Sequence, residues 1–157
     1  MEEDALPFDA DCIKAEKIAL RLIARAEQSS SLLAVKLEKR GIDPSITRQV
    51  ISSLLDRKLL DDERYAVCWI RAHLGGKRAP SPLWFLASLE RRGIDRQTSR
   101  NAINKVLDED AEYSLLLKFI ETINVIYKKT GLFRTKLRRE GFSPEAINRF
   151  FDSEYHF

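Results

Sequence analysis

The chain has 157 residues, of which 44% are apolar and 32% are charged, and its net charge at pH 7 is +3. This composition is typical of a soluble folded protein, and it excludes a disordered chain. No apolar run approaches the roughly 18–20 residues that a membrane span requires, so we expect no membrane partner. The segment Met1–Asp11 is acidic and lacks the basic and then apolar order of a signal peptide, which predicts a cytoplasmic protein.

The residues that most often carry catalysis or bind metals are few and scattered. Cys12 and Cys68 lie 56 residues apart, which predicts free buried thiols and neither a disulfide framework nor a metal motif. His73 and His156 have no ligand-type neighbour at metal spacing. The run Gly75-Gly76-Lys77 lacks the frame of a phosphate-binding loop. We therefore expect a protein that is not an enzyme and has no cofactor and no metal.

Helical periodicity dominates from residue 13 onward, after a flexible acidic N-terminus predicted for residues 1–12. The first repeat, residues 13–58, contains an apolar stripe, three serines that offer an N-cap, and an Asp43-Pro44 helix start. Its three predicted helices are Ile13–Glu27, Leu32–Lys39 and Pro44–Asp56.

A signature of two apolar residues and a glycine, each four residues apart, occurs three times. The copies are Leu33-x3-Leu37-x3-Gly41, Phe85-x3-Leu89-x3-Gly93 and Phe133-x3-Leu137-x3-Gly141. The glycines are 52 and 48 residues apart. Glycine after a helix adopts the left-handed conformation without a steric penalty, so each copy predicts a helix end and a tight turn with positive φ.

The second repeat spans residues 59–108 and the third spans residues 109–157. Both follow the order of the first, and Asp95 and Ser143-Pro144 begin their last helices. The other predicted helices are Asp62–His73, Leu83–Arg92, Ala111–Tyr127, Leu132–Arg139 and Pro144–Phe151. The predicted fold is all-α, with three tandem three-helix repeats in an elongated, curved array, one apolar cluster in each repeat, and bends near Leu59–Asp62 and Asp108–Asp110.

Cationic side chains recur where the middle helix of each repeat ends. If the repeats stack regularly, these side chains form a stripe that suits a polyanionic partner. The alternative is a set of solvated helix ends, where cations interact favourably with the C-terminal dipole. The candidate residues are Lys36, Lys39, Arg40, Lys77, Arg78, Arg91, Arg92, Lys136, Arg138 and Arg139.

Two tryptophans are candidates for stacking on a partner. Trp84 comes just before the signature residue Phe85, which faces the core, so we expect Trp84 to be partly exposed and add it to the candidate contact residues. Trp69 lies in an apolar run and is expected in the core. A core position remains the alternative for Trp84.

The segment Leu59-Leu60-Asp61-Asp62-Glu63-Arg64-Tyr65-Ala66 resembles the Asp-Asp-x-Arg-aromatic-Ala element of the RecX family, regulatory proteins that bind the RecA recombinase. Arg25-x3-Ser29, followed by the first glycine signature, is similar to another family pattern, as is Leu89-x3-Gly93-Ile94-Asp95. The resemblance extends from about Ala15 to Phe151. The chain departs from the family's Gly-Pro-x-Arg-Ile run, because Ser81 and Trp84 replace the glycine and the arginine.

The resemblance implies a modulator that binds in the groove of a RecA filament and inhibits its recombinase, ATPase and coprotease activities. It thereby implies a role in DNA recombination, DNA repair and the SOS response. No repeat shows a sustained heptad pattern, so we expect a monomer. The residues leave open a helical protein that binds DNA directly, weakly and without sequence preference. A helix-turn-helix reader of duplex DNA is a third alternative. Its candidate recognition helices offer few groove-reading side chains, namely Arg48, Gln49, Arg96, Gln97 and Asn101.

Overall fold

The computed structural model describes residues 10–76, 79–123 and 131–154. Within these ranges the chain forms nine α-helices and no strand, as the periodicity predicts. We number them in chain order as α1 Ala10–Arg25, α2 Ser30–Glu38, α3 Pro44–Asp56, α4 Asp62–Leu74, α5 Pro82–Glu90, α6 Arg96–Val106, α7 Glu109–Thr122, α8 Phe133–Arg139 and α9 Pro144–Glu154.

Polar side chains cap most of the described helices at the residues that the sequence predicts. The Ser29 hydroxyl accepts from the Leu32 amide at 3.2 Å, and a carboxylate oxygen of Asp95 accepts from the Thr98 amide at 2.9 Å. Asp43 and Ser143 cap α3 and α9 in the same way. Each cap satisfies an amide that has no partner inside its helix, which is why these helices begin where they do.

The three repeated glycines have positive φ, which confirms the predicted turns. The φ angles are 81° at Gly41, 78° at Gly93 and 89° at Gly141. In each turn the amide after the glycine donates to the carbonyl of the signature leucine, at 3.2–3.3 Å. The same bond in the three copies shows that the three middle helices end in one conformation, the Schellman motif.

Helices pack mainly within units of three. In each unit the first helix lies against the third, as α1 does on α3, α4 on α6 and α7 on α9. The described residues form two apolar clusters, one in the first unit and one shared by the second and third units. The expectation of one cluster for each repeat is therefore wrong.

The two connections between units differ in composition. At the start of α2, which meets the second unit, the chain has Ser30 and Ser31. The equivalent positions at the start of α5, which meets the third unit, are Pro82 and Leu83. The first connection therefore places polar residues between the units, whereas the second places Pro82 and the exposed Leu83 there, outside the shared cluster. The elongated, curved shape of the array stays a prediction.

The buried residues of the first helix are small, and Ile18, Leu22 and Ile23 of the predicted stripe pack, partly buried, against the first cluster. Ile13 is 45% exposed, whereas Cys12, Ala15 and Ala19 are buried at helical spacing. The first helix begins at Ala10, because this small-residue face starts before Ile13. Both cysteines are free, but only Cys12 is buried and Cys68 is exposed, so the burial predicted for Cys68 is wrong.

Replacing Gly93 by alanine should destabilise the protein more than replacing Gly41. Both glycines have positive φ, which costs an L-residue about 1–2 kcal/mol. A Cβ at Gly93 would also lie 2.3 Å from Ser31 Cβ, whereas a Cβ at Gly41 meets nothing within 4 Å. Overpacking adds about 1–3 kcal/mol, so we expect a total of about 2–5 kcal/mol for Gly93→Ala and about 1–2 kcal/mol for Gly41→Ala in urea unfolding. Equal losses would contradict the close contact at Gly93.

Stability at acidic pH should depend on the helix caps Asp43 and Asp95. Hydrogen bonds from the Ser45 side chain and amide lower the pKa of Asp43, and bonds from Thr98 lower that of Asp95. A lowered pKa in the folded state means that the stabilisation is present above the ordinary value of 3.8 and is lost as pH falls through the folded pKa. Unfolding measured from pH 6 to pH 2 should be less pH-dependent in Asp95→Asn, since asparagine caps without titrating. An unchanged pH dependence would contradict this.

Candidate interaction surface

The first two units meet where the N-terminus of α2 contacts the last turn of α5. The buried Ser29 hydroxyl donates to the Arg92 carbonyl at 3.3 Å. The Asp62 carboxylate accepts from both the amide and the hydroxyl of Ser30, at 2.7 and 2.6 Å. A helix N-terminus is thus placed against a helix C-terminus, and an acidic side chain satisfies a free amide at the N-terminus.

The contact between these units is close and is reinforced by an ion pair. The Cα of Gly93 faces Ser31, and any side chain at Gly93 would overlap it. Arg64 Nε lies 2.8 Å from a carboxylate oxygen of Glu27, and this bond raises the pKa of Arg64 above its ordinary value. The junction between the first and second units is therefore mainly polar.

The second and third units meet through the equivalent contact. The Leu83 amide donates to the Glu140 carbonyl at 2.9 Å, and the Ser81 hydroxyl donates to the Glu140 carboxylate at 2.8 Å. A Cβ at Gly141 would lie 3.3 Å from Pro82 Cβ. The serine that replaces the family's glycine thus caps α5 and also binds the next unit.

These two junctions arrange the middle helices head to tail. The C-terminal turn of α8 meets the start of α5, and the C-terminal turn of α5 meets the start of α2. The helix α5 has nine residues and is about 13 Å long, so the two junctions are separated by about that distance. The candidate cations that the structure describes lie near the turns that form these junctions, and at the free end of α2.

At the free end, Lys39 and Arg40 are exposed and Lys36 is half-buried. Lys36 Nζ donates to the side-chain oxygen of the buried Gln28 at 2.6 Å. Arg40 donates to the Lys36 carbonyl at 2.9 Å, so its guanidinium folds back along its own helix. Lys36 is engaged in local structure, whereas the charges of Lys39 and Arg40 face solvent.

At the end of α5, the two arginines have different environments. Arg91 is exposed and donates to the Ser88 hydroxyl at 3.2 Å. Arg92 is half-buried, donates to the Ser88 carbonyl at 2.9 Å and places its guanidinium 4.3 Å from the centre of the Trp69 ring. A cation over an indole face contributes about 0.5–2 kcal/mol. Arg92 therefore stabilises the fold, and Arg91 is the arginine available for a partner.

The end of α8 repeats this division. Lys136 is half-buried and its Nζ lies 3.6 Å from a carboxylate oxygen of Glu140, the residue that binds α5. Arg138 and Arg139 are exposed. We call the exposed members of the candidate set the exposed cations; they are Lys39, Arg40, Arg91, Arg138 and Arg139. Lys77 and Arg78, the remaining candidates, lie outside the described residues.

Trp84 is 42% exposed and Phe85 beside it is fully buried, as their positions in the signature predict. Trp84 stacks on Trp69 with ring centres 5.5 Å apart, and His73 stacks on Trp69 at 3.9 Å. Trp69 is only partly buried and packs at the edge of the shared cluster. The cationic Arg92 therefore joins an aromatic group that reaches the surface through Trp84.

A cavity of about 550 Å³ lies beside this aromatic group. Trp84, His73 and Phe119 form its apolar wall, and Ser81 and Glu140 contribute polar atoms. Both polar residues already bind each other across the junction between the second and third units. No group of three or more His, Cys, Asp or Glu side chains among residues 10–76, 79–123 and 131–154 is arranged to hold a metal ion.

The segment Leu59–Ala66, on which the family resemblance depends, forms the connection between the first two units. Leu60 is 2% exposed in the first cluster, Asp61 caps α4 through the Arg64 amide at 2.9 Å, and Asp62 binds Ser30. The sequence pattern alone does not reveal the bonds from Ser30 to Asp62. Ser29 and Ser81 each lie four residues before the first apolar residue of the signature. This shared position is the sequence signal that could have indicated the junctions.

The fold and the site together define an all-α protein in which three-helix units are joined end to end and cations lie on their connecting turns. None of the helices in the described ranges is long and apolar enough to span a membrane. No family model matches the chain.

Comparison with known proteins identifies the family. The chain is 32% identical over 145 residues to the regulatory protein RecX of Treponema pallidum (strain Nichols), covering 92% of this chain and 79% of that protein. It is 37% identical over 98 residues to the RecX of Halorhodospira halophila, covering 62% of this chain and 56% of that protein. The chain therefore belongs to the RecX family of regulatory proteins.

Solved structures support the same fold. A crystal structure of RecX from Lactobacillus salivarius superposes with a TM-score of 0.69 at 19% identity, covering 91% of this chain and 96% of that one. A second crystal structure, of a regulatory protein RecX, gives a TM-score of 0.71 at 18% identity over 97% of this chain and 79% of that one. At these identities the agreement establishes the arrangement of the backbone.

Replacing Asp62 by alanine should destabilise the first junction. The change leaves the Ser30 amide and hydroxyl without their acceptor, for which we expect a loss of about 1–3 kcal/mol in the free energy of unfolding. Asp56→Ala is the matched control, because Asp56 is exposed in the last turn of α3, where an acid opposes the helix dipole. Equal stability of the two variants in urea would contradict a structural role for Asp62.

Proposed function

We propose that this protein binds in the groove of a RecA filament and inhibits its recombinase activities, without catalysing a reaction itself. The observation that carries the proposal is the placement of the exposed cations Lys39, Arg40, Arg91, Arg138 and Arg139 on the ends of middle helices that follow one another head to tail. Membership of a family of regulatory proteins supports a regulatory role.

A serial arrangement of this kind suits a helical polymer. A filament on DNA repeats the same protein acids and phosphates along its groove, and a chain with cations at successive helix ends can meet several of them at once. Each contact raises the effective concentration of the next, so individually weak contacts sum to a stable complex. Arginine is favoured for this role because its planar fork binds carboxylates and phosphates through two bonds.

Direct binding to DNA is the second candidate, and the exposed Trp84 favours it. An indole that is 42% exposed and supported from behind by Trp69 offers a flat surface for an unpaired base. If this activity dominates, the protein should bind naked single-stranded DNA with an affinity that falls steeply with salt and is weakened by Trp84→Ala. Binding that requires the recombinase would instead favour the filament.

Reversing two exposed arginines should weaken inhibition without unfolding the protein. We expect Arg91→Glu/Arg139→Glu to bind a RecA filament at least about 10-fold more weakly and to inhibit ATPase and strand exchange correspondingly less, because reversed charges repel an anionic surface. Arg92 is not replaced, because losing its contact with Trp69 would lower stability and make a loss of binding hard to interpret. Binding is measured by anisotropy on labelled filaments.

The matched control is Arg48→Glu/Lys118→Glu, which makes the same change in net charge. Both residues are exposed and lie outside the exposed cations, on α3 and α7. The control should retain inhibition within about 3-fold at the same salt concentration, because its reversed charges lie away from the helix ends. The change in net charge is equal in the two double variants, so a difference between them reports the position of the charges. Equal loss in the two double variants would show that the total charge, and not the helix ends, determines binding. It would also return Arg48 and the helix-turn-helix alternative to consideration.

A further inference from the structure

One of the three glycine turns has the shape of a junction but holds no neighbour from the described part of the chain. The turns at Gly93 and Gly141 each receive the start of a middle helix, and a Cβ at either glycine would be 2.2–3.3 Å from that helix. Gly41 has the same positive φ and the same closing bond, from the Ile42 amide to the Leu37 carbonyl. A Cβ at Gly41 would meet nothing within 4 Å.

The hydrogen-bond acceptor at this turn is also open. In the two occupied turns, the residue before the glycine accepts through its carbonyl, from the Ser29 hydroxyl at Arg92 and from the Leu83 amide at Glu140. The equivalent carbonyl at the open turn belongs to Arg40. Among residues 10–76, 79–123 and 131–154, none donates to it. The turn at Gly41 therefore offers the same carbonyl acceptor that the turns at Gly93 and Gly141 use to bind a helix start.

We propose that the turn that ends α2, Lys39–Gly41, is a docking surface for the N-terminus of a helix of the protein partner. The chemistry of the two occupied junctions describes that helix. It begins with a serine or threonine cap, as α2 and α5 do, and its first turn approaches the glycine closely. Acidic residues in that first turn complement the exposed Lys39 and Arg40, and they are favoured there by the helix dipole.

The middle helices of a second copy do not supply this helix. The starts of α2 and α5 are engaged within their own chain. The start of α8 has Leu132 at its cap position and makes no side-chain capping bond, so it lacks the required hydroxyl. The proposal rests on the proposed function, because the partner that supplies the helix is then the recombinase filament.

The variant Gly41→Asn tests the surface. Asparagine tolerates positive φ and has open space at this position, so the melting temperature should stay within about 3 °C of the parent. We expect the affinity for a RecA filament on single-stranded DNA to fall at least about 10-fold, because the new side chain occupies the position that the partner helix requires. Gly131→Asn is the control, because a Cβ there also meets nothing within 4 Å, and it should bind as the parent does.

A second measurement identifies the occupant. A photo-crosslinking residue in place of the exposed Glu38, in the last turn of α2, should join to the first turn of a recombinase helix, as read by mass spectrometry. Crosslinks to a second copy, to residues 1–9 of the same chain, or to a recombinase segment away from a helix start would overturn the proposal.

The two proposals can fail separately. If the parent binds the filament and Gly41→Asn binds equally well, the docking surface is wrong and the proposed function stands. If the parent does not bind the filament at all, both are wrong.

Discussion

The structure depends on a backbone turn that glycine adopts without strain. Each middle helix ends at a glycine with φ between 78° and 89°, and the chain reverses there to begin the third helix of its unit. At Gly93 and Gly141 the same residue lets the next helix start approach within contact distance. One residue type therefore satisfies two requirements, a left-handed conformation and the absence of a side chain. Stacking of the units follows from the second requirement.

The two junctions use the same geometry with different chemistry. The first is polar, with serine hydroxyls and the Asp62 carboxylate between the units, and it separates two apolar clusters. The second places Pro82 and Leu83 at the equivalent positions, and the clusters of its two units are continuous. Since apolar burial is the larger and less directional contribution to stability, the second and third units form the more cooperative part of the molecule. The first unit is held mainly by directional bonds.

The division of the cations follows from this architecture. A basic residue in the last turn of a middle helix lies at a junction, so its role depends on which way its side chain points. Arg92 points back over Trp69 and stabilises the second unit, whereas Arg91 beside it remains in solvent. Neighbouring residues of equal charge therefore serve different purposes. A contact surface assembled from helix ends needs only the exposed member of each pair.

The sequence alone determined the features that depend on local geometry and on pattern. The glycine signature, the Asp43 and Asp95 caps and the helical periodicity predict the helices and their turns, because each rests on interactions among residues close in the chain. The family follows from the resemblance of the contiguous segment Leu59–Ala66. Only the tertiary structure decided what crosses between units. Asp62 binds Ser30, and Arg92 lies on Trp69. The apolar clusters of the second and third units also merge. All three features depend on contacts between residues far apart in the chain. No local pattern encodes such distances, because they follow from how complete units dock.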